Sequence, residues 1–303
     1  MDNMKKASFY MILSGFSFSL SGFFAEHAIF SGDFFLTLTA RFFIPFLFLI
    51  PFIVNRIQRK AFWLNSYKQL PRAFSITLSQ ALFFLCAANS SLFIAMVLYN
   101  TGPIFICLFT LFSKTKRATR MEMIASIFGF LGVFLILKTG GIDFKSLFYL
   151  GIGVLSGISL AFSQIFLHRS AQTDDNLSIM TYTYLYGSIL SAFLSICFTK
   201  TNYEEVLISS PIVLLFLILM AAGSIGNQWF RGIAYKLTPR ISKLSTLLYL
   251  NILFSLFLDV LFNDSIPSFI QFAGALFVIA SAVVPILIRS DKKQMEQKQV
   301  ANG

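Results

Sequence analysis

Ten apolar runs, most of them close to the length of a membrane span, succeed one another along this chain. They cover roughly 7–29, 34–54, 74–89, 91–113, 121–138, 147–168, 177–199, 207–234, 241–262 and 268–288. A helix needs about 20 apolar residues to cross the hydrocarbon core. Inside lipid the backbone must satisfy its own hydrogen bonds, so runs of this kind fold as helices. The third and fourth runs nearly merge and are divided at Asn89–Ser91, because a single helix from Phe74 to Phe112 is far too long for one span. Hydrophobic residues make up 56% of the chain and charged residues 12%, with a mean hydropathy of +0.76. A soluble core cannot hide that much apolar surface, so the chain reads as an all-α integral membrane protein. Lys5 and Lys6 precede a first run longer than a signal-peptide core, which reads as a permanent helix. Cys86, Cys107 and Cys197 sit within apolar runs, without the spacing of a disulfide framework or a metal site.

The net charge of +11 sorts to one side of these runs. That side holds Lys5, Lys6, Arg56, Arg59, Lys60, Lys68, Arg72, Lys114, Lys116, Arg117 and Arg120. It also holds Arg169, Lys236, Arg240, Lys243, Arg289, Lys292, Lys293 and Lys298, whereas the other side holds only Lys138, Lys145 and Lys200. Cytoplasmic loops carry the excess of Lys and Arg. The surplus is therefore a topology signal and does not mark a nucleic-acid surface. It predicts a multi-pass protein of a bacterial inner membrane with both termini cytoplasmic. The polar tail, residues 291–303, reads as disordered.

The runs also repeat. "IASIFGFLGVFLIL" (124–137) matches "IQFAGALFVIASAV" (270–283) in length and in an early glycine, Gly129 or Gly274. Each follows a closely spaced pair of helices and a polar loop. This divides the chain into residues 1–140 and 141–290, five spans each. An odd number of spans inverts the second copy, giving ten transmembrane helices as two inverted five-helix repeats with a site between them near the midplane.

Several segments carry a family resemblance: "LTARFFIPFLFLIPF", "MVLYNTGPIFICLFTLF" with Pro103, the glycine-bearing helices just quoted, and "GIAYKLTPRISKLSTLLYLNILFSLFLDVLF". Over about residues 7–288 the chain resembles the drug/metabolite transporter superfamily, and within it the ten-helix EamA-type permeases. The resemblance implies a carrier of small organic metabolites. It also implies that helices three, four, eight and nine surround the pathway. Two departures stand out. The family often has a glutamate after the fourth helix of each repeat, where this chain has "SKTKRAT" and "FNDSIP", with Asp264 as a stand-in in the second. No second-repeat proline matches Pro103; Tyr249 to Asn251 lie there. "TARFF" and "AYKL" also resemble bacterial S-adenosylmethionine carriers of the same superfamily.

Arg41 interrupts the nineteen-residue apolar run 36–54 and lies about seven residues into the helix that begins near residue 34, roughly 10 Å at 1.5 Å per residue. A charge at that depth is costly and usually faces the protein interior or a wet cavity, although a snorkelling arginine is the alternative. Glu26 and Asp259 are predicted at a similar depth, as gate or proton-coupling groups, or as groups that simply meet interfacial water. The deeper polar set comprises Gln80, Tyr99, Asn100, Gln164, Tyr182, Tyr184, Tyr186, Asn227, Gln228, Trp229, Arg231, Tyr249 and Asn251. Such amides and aromatics suit a small amphipathic metabolite, though each could equally be interhelical glue. From this set Arg41, Gln80, Tyr99, Asn100, Gln164, Trp229, Tyr249 and Asn251 are taken as the substrate pathway.

No zinc-protease motif, nucleophile elbow or phosphate loop occurs, so no catalytic residue, metal ligand or cofactor is predicted. The reading is a secondary active or facilitative transporter of an amino acid or related compound, in a lipid bilayer, working by alternating access. Multidrug or metabolite export, an S-adenosylmethionine-type carrier and lipid-linked sugar flipping are alternatives. A membrane scaffold or sensor and an intramembrane lipid enzyme are the readings from other classes. A homodimer is compatible with the sequence, but no interface is legible.

Overall fold

The computed structural model describes residues 3–28, 34–57, 66–89, 92–112, 118–137, 147–198, 211–262 and 268–282. Among the described residues there are helices and short turns and no strand. In chain order the helices are α1 (Asn3–Ala28), α2 (Phe34–Ile57), α3 (Leu70–Asn89), α4 (Leu92–Tyr99), α5 (Gly102–Leu111) and α6 (Arg120–Leu137). They continue with α7 (Leu147–Ala171), α8 (Asn176–Phe198), α9 (Pro211–Lys236), α10 (Leu250–Phe262) and α11 (Phe269–Ala282). Among the described residues seven helical segments are long and apolar enough to cross a membrane, and α11 is a shorter apolar helix. Their outward faces carry exposed Phe52, Phe128, Ile189, Phe193, Ile196 and Phe257, as a lipid-facing surface requires. Asp264 and residues 291–303 lie outside the described residues, as do the loop cations Arg59, Lys60, Lys114, Lys116, Arg117, Lys138, Lys145 and Lys200.

Two spans read from the sequence as continuous are interrupted. The fourth breaks at Asn100–Thr101, where the Thr101 hydroxyl donates to the Leu98 carbonyl at 2.5 Å and the Asn100 side-chain amide to the Met96 carbonyl at 2.8 Å. Pro103 does not kink a single continuous helix here. It lies instead in the first turn of α5, where a missing N–H costs little. In the second half, 3-10 turns at Ile241–Lys243 and Ser245–Tyr249 lead into α10.

Small residues set the helix packing. The most extensive interface joins α1 to α9. Ser21 donates to the Met220 carbonyl at 2.9 Å and shares a 2.7 Å hydrogen bond with Ser224. Between them Gly223 approaches so closely that a Cβ there would lie 2.9 Å from the Ser17 carbonyl oxygen. The next most extensive interface joins α3 to α7, where Ser79 donates to the Ser156 carbonyl at 2.7 Å. There α7 also meets the α4–α5 break, and a Cβ on Gly157 would lie 2.1 Å from Thr101 Oγ1. Helix α2 packs on α8 with Phe42 against Gly187.

Helices α6 and α11 cross at a pair of glycines. A Cβ on Gly132 would lie 2.7 Å from the Gly274 carbonyl oxygen, and one on Gly274 would lie 2.6 Å from that of Gly132. Hydropathy rhythm matched Gly274 with Gly129, but Gly129 packs on Tyr249 and Ser281 instead. Gly132→Ala is expected to destabilise the protein by about 1–3 kcal/mol through overpacking. Gly22→Ala, with nothing within 4 Å of the new methyl group, should be tolerated. Thermal unfolding of both variants in detergent checks this contrast.

Candidate functional site

Helices from both halves of the chain enclose one polar cavity. Phe18 of α1, Arg41 and Phe42 of α2, Ile76 and Gln80 of α3 and Tyr99 of α4 line it, with Tyr184 of α8 and Ser224, Asn227, Gln228 and Arg231 of α9. The space between them is about 30 Å³, room for a water molecule or two and not for a metabolite.

Helical spacing brings these side chains together. Ser224, Asn227, Gln228 and Arg231 stand at i, i+3, i+4 and i+7, one face of α9. Arg72, Ile76 and Gln80 stand at i, i+4 and i+8 on α3. The two stripes meet where an Arg72 Nη2–H donates to the Gln228 side-chain oxygen. Arg231 Nε donates to Ser14 Oγ at 3.1 Å, and that hydroxyl donates onward to the Asn227 side-chain oxygen at 2.8 Å. Arg41 rests over the Phe18 ring, 5.1 Å from its centroid, a cation–π contact.

The electrostatics are one-sided. Arg72 is 2% exposed and Arg231 7%. Tyr184 lies within electrostatic range of Arg41, Arg72 and Arg231, yet no carboxylate among the described residues lines the cavity. Buried polar atoms here also lack hydrogen bonds: Arg72 Nε and Nη1, the Tyr184 hydroxyl and Gln80 Oε1. An unsatisfied buried donor or acceptor costs about 1–3 kcal/mol, and more when it is charged.

Of the eight residues taken as the substrate pathway, the cavity collects Arg41, Gln80 and Tyr99, and from the wider polar set it also collects Tyr184, Asn227, Gln228 and Arg231. The other pathway residues lie elsewhere. Asn100 caps its own helix. Gln164 accepts a hydrogen bond from the Tyr235 hydroxyl at 3.0 Å. Trp229 is one residue past Gln228, a rotation of roughly 100° on a helix, and is 41% exposed. Tyr249 is fully buried against α6, donating to the Ser126 carbonyl at 3.0 Å. Asn251 passes its backbone carbonyl to Ser19. Asp259 is partly buried on α10, and the Glu26 side chain lies outside the described residues.

Arg72 requires a correction. It was assigned to the cytoplasmic loop cations, yet it is among the most deeply buried side chains. Its i, i+4, i+8 register with Ile76 and Gln80 was the signal that could have found it. Glu122 was also passed over. It accepts from the Thr119 backbone N–H at 2.9 Å while Thr119 Oγ1 accepts from its own, and Ser242 donates to it at 2.8 Å. "TRME" spells this capping box in the sequence.

A multi-helix membrane protein with a cationic interior cavity is the class these observations define. Residues 5–138 match the family model described as EamA-like transporter family. That match spans somewhat less than half of the chain and is consistent with the resemblance to the drug/metabolite transporter superfamily. A solved structure, described only as a crystal structure of a protein, shares the fold with a TM-score of 0.78. It is 15% identical, and the match covers 94% of this chain and 97% of that one. No curated protein matches the chain.

Replacing a buried, incompletely paired charge by an apolar residue of similar size is often neutral or stabilising. Arg72→Met should therefore leave the substrate-free protein equally stable, or more stable by about 1–2 kcal/mol. Thermal unfolding without added metabolites checks this, and a loss of the size expected for a truncated core leucine would contradict it.

Proposed function

We propose that this protein is a secondary transporter that carries a small organic metabolite through the Arg41–Arg231 cavity by alternating access. In this reading its ten transmembrane helices form two inverted repeats, residues 1–140 and 141–290. The observation that carries the proposal is a polar, charge-bearing cavity enclosed by helices of both halves within an apolar bundle. Such interior charge in a membrane protein marks a pathway more often than a packing element.

The packing supports the repeat. Helix α1 on α9 is matched by α7 on α3, and α1 on α10 by α7 on α4 and α5. Exchanging the two halves turns each of these contacts into its counterpart. The α2–α8 pair and the α6–α11 glycine crossing map onto themselves. The interrupted segments at Asn100–Thr101 and Ile241–Tyr249 correspond as well, and paired discontinuities of this kind point to a transporter's binding site. Because the cavity is too small for a metabolite, the halves must separate along the smooth serine and glycine seams to load it.

Glu26 and Asp259, on the packed pair α1 and α10, take the role of gate or proton-coupling groups in this reading. Placement in a bacterial inner membrane with both termini cytoplasmic rests on the excess of Lys and Arg on one side of the helices. A sulfonium such as S-adenosylmethionine, or a cationic drug, would meet guanidinium groups and, among the described residues, no carboxylate at this cavity.

Arg41→Ala should lower saturable uptake into proteoliposomes by about tenfold or more, the scale of losing one buried charge contact, without lowering the yield of folded protein. The check is uptake of a metabolite panel by both proteins, with size-exclusion profiles alongside. Unchanged uptake would remove Arg41 from the mechanism.

A further inference from the structure

We infer that the substrate is a small soluble organic anion with two negative charges, a dicarboxylate or a phosphate monoester, bound between Arg41, Arg72 and Arg231. This inference rests on the transporter reading of the same cavity and names its substrate class.

Arg41 and Arg231 line the cavity, and Arg72 is held at its wall through Gln228. A guanidinium stays charged at any physiological pH. Three such groups in a low-dielectric interior repel one another, and each gives up hydration that the protein must replace. The protein replaces it only in part. Arg72 donates through Nη2 to Gln228, with Nε and Nη1 unused. Arg231 bonds a neutral serine. Arg41 has an aromatic face. Neutral amides and tyrosines fill the remaining polar wall.

Unused donors on a buried cation, with no acid beside them among the described residues, complement a carboxylate or phosphate group, which accepts several hydrogen bonds at once. A zwitterionic amino acid fits less well, because its ammonium group would find no partner of opposite charge. A single negative charge would leave two guanidinium groups uncompensated, whereas two charges bring the occupied site close to balance. Phe18, Phe42 and Ile76 provide a short apolar wall for the carbon skeleton.

The test uses the purified full-length protein in nanodiscs. Thermal unfolding is followed with succinate, glycerol 3-phosphate, inorganic phosphate and a range of longer dicarboxylates and phosphate monoesters. Succinamide, glycerol, amino acids and S-adenosylmethionine serve as neutral, zwitterionic and cationic comparators. At least one dianion should stabilise the protein in a dose-dependent way while its neutral analogue does not. Arg72→Gln and Arg231→Gln should each weaken that dianion by about tenfold or more. The comparison among ligands is made on the unaltered protein, so it stands even if a variant fails to fold.

Failure of every dianion to shift the transition overturns the inference. So does stabilisation by a neutral or cationic compound that persists in both arginine variants. Stabilisation by phosphatidate in the nanodisc but by no soluble dianion would assign the chemistry to a lipid headgroup and overturn the soluble substrate. Proteoliposome uptake separates the two claims. Dianion binding without uptake supports the anion site and removes the transporter reading. Uptake of a neutral metabolite, insensitive to Arg72→Gln, keeps the transporter and removes the anion.

Discussion

The fold brings three guanidinium groups into a bundle that offers them no carboxylate among the described residues. Little else in the structure is so expensive. Apolar contact between helices gains little in lipid, because acyl chains are as apolar as leucine. A buried cation, in contrast, costs several kcal/mol unless it is paired or hydrated. The bundle absorbs the cost through Gln228, through the Ser14–Asn227 relay and through the Phe18 ring. These contacts fix where the guanidinium groups sit without neutralising them. On the inference drawn above, a negatively charged guest completes a site arranged in this way.

In the proposed transport cycle the same helices also move. Helices α1 and α9, and α3 and α7, meet along serines and glycines that let backbones approach closely. Bulky interdigitating side chains would lock such seams, whereas small residues leave surfaces that can slide. The glycine pair Gly132 and Gly274 fixes the crossing of α6 and α11. This fits a division of labour in which one helix pair acts as a stable crossing while the others rock around the cavity. The breaks at Asn100–Thr101 and before α10 place free backbone ends and polar caps beside protein and not lipid, where such irregularity can be satisfied.

Hydropathy alone located the helices, because an apolar run of span length has few other ways to satisfy its backbone. Their ends were less legible. The interruption at Asn100–Thr101 depends on Gly157 approaching from α7, a tertiary contact that no local pattern announces. The cavity was partly legible. Arg41 stood out because it broke an apolar run, and Gln80 and Tyr99 stood out as polar groups deep in theirs. Arg72 was hidden by its position two residues into a helix, beside Lys68, where it looked like another loop cation. Trp229 looked more suitable than its neighbours by residue type, but the rotation of α9 turns Gln228 and Arg231 inward and Trp229 outward. Helical phase, and not residue type, separated the cavity from its surroundings.

The most direct measurement is an anomalous-difference map from crystals grown with tungstate, an electron-dense divalent oxyanion. The account predicts a peak between Arg41, Arg72 and Arg231, with oxygens in hydrogen-bond reach of Arg72 Nε or Nη1. An empty cavity in crystals that hold tungstate elsewhere would contradict it.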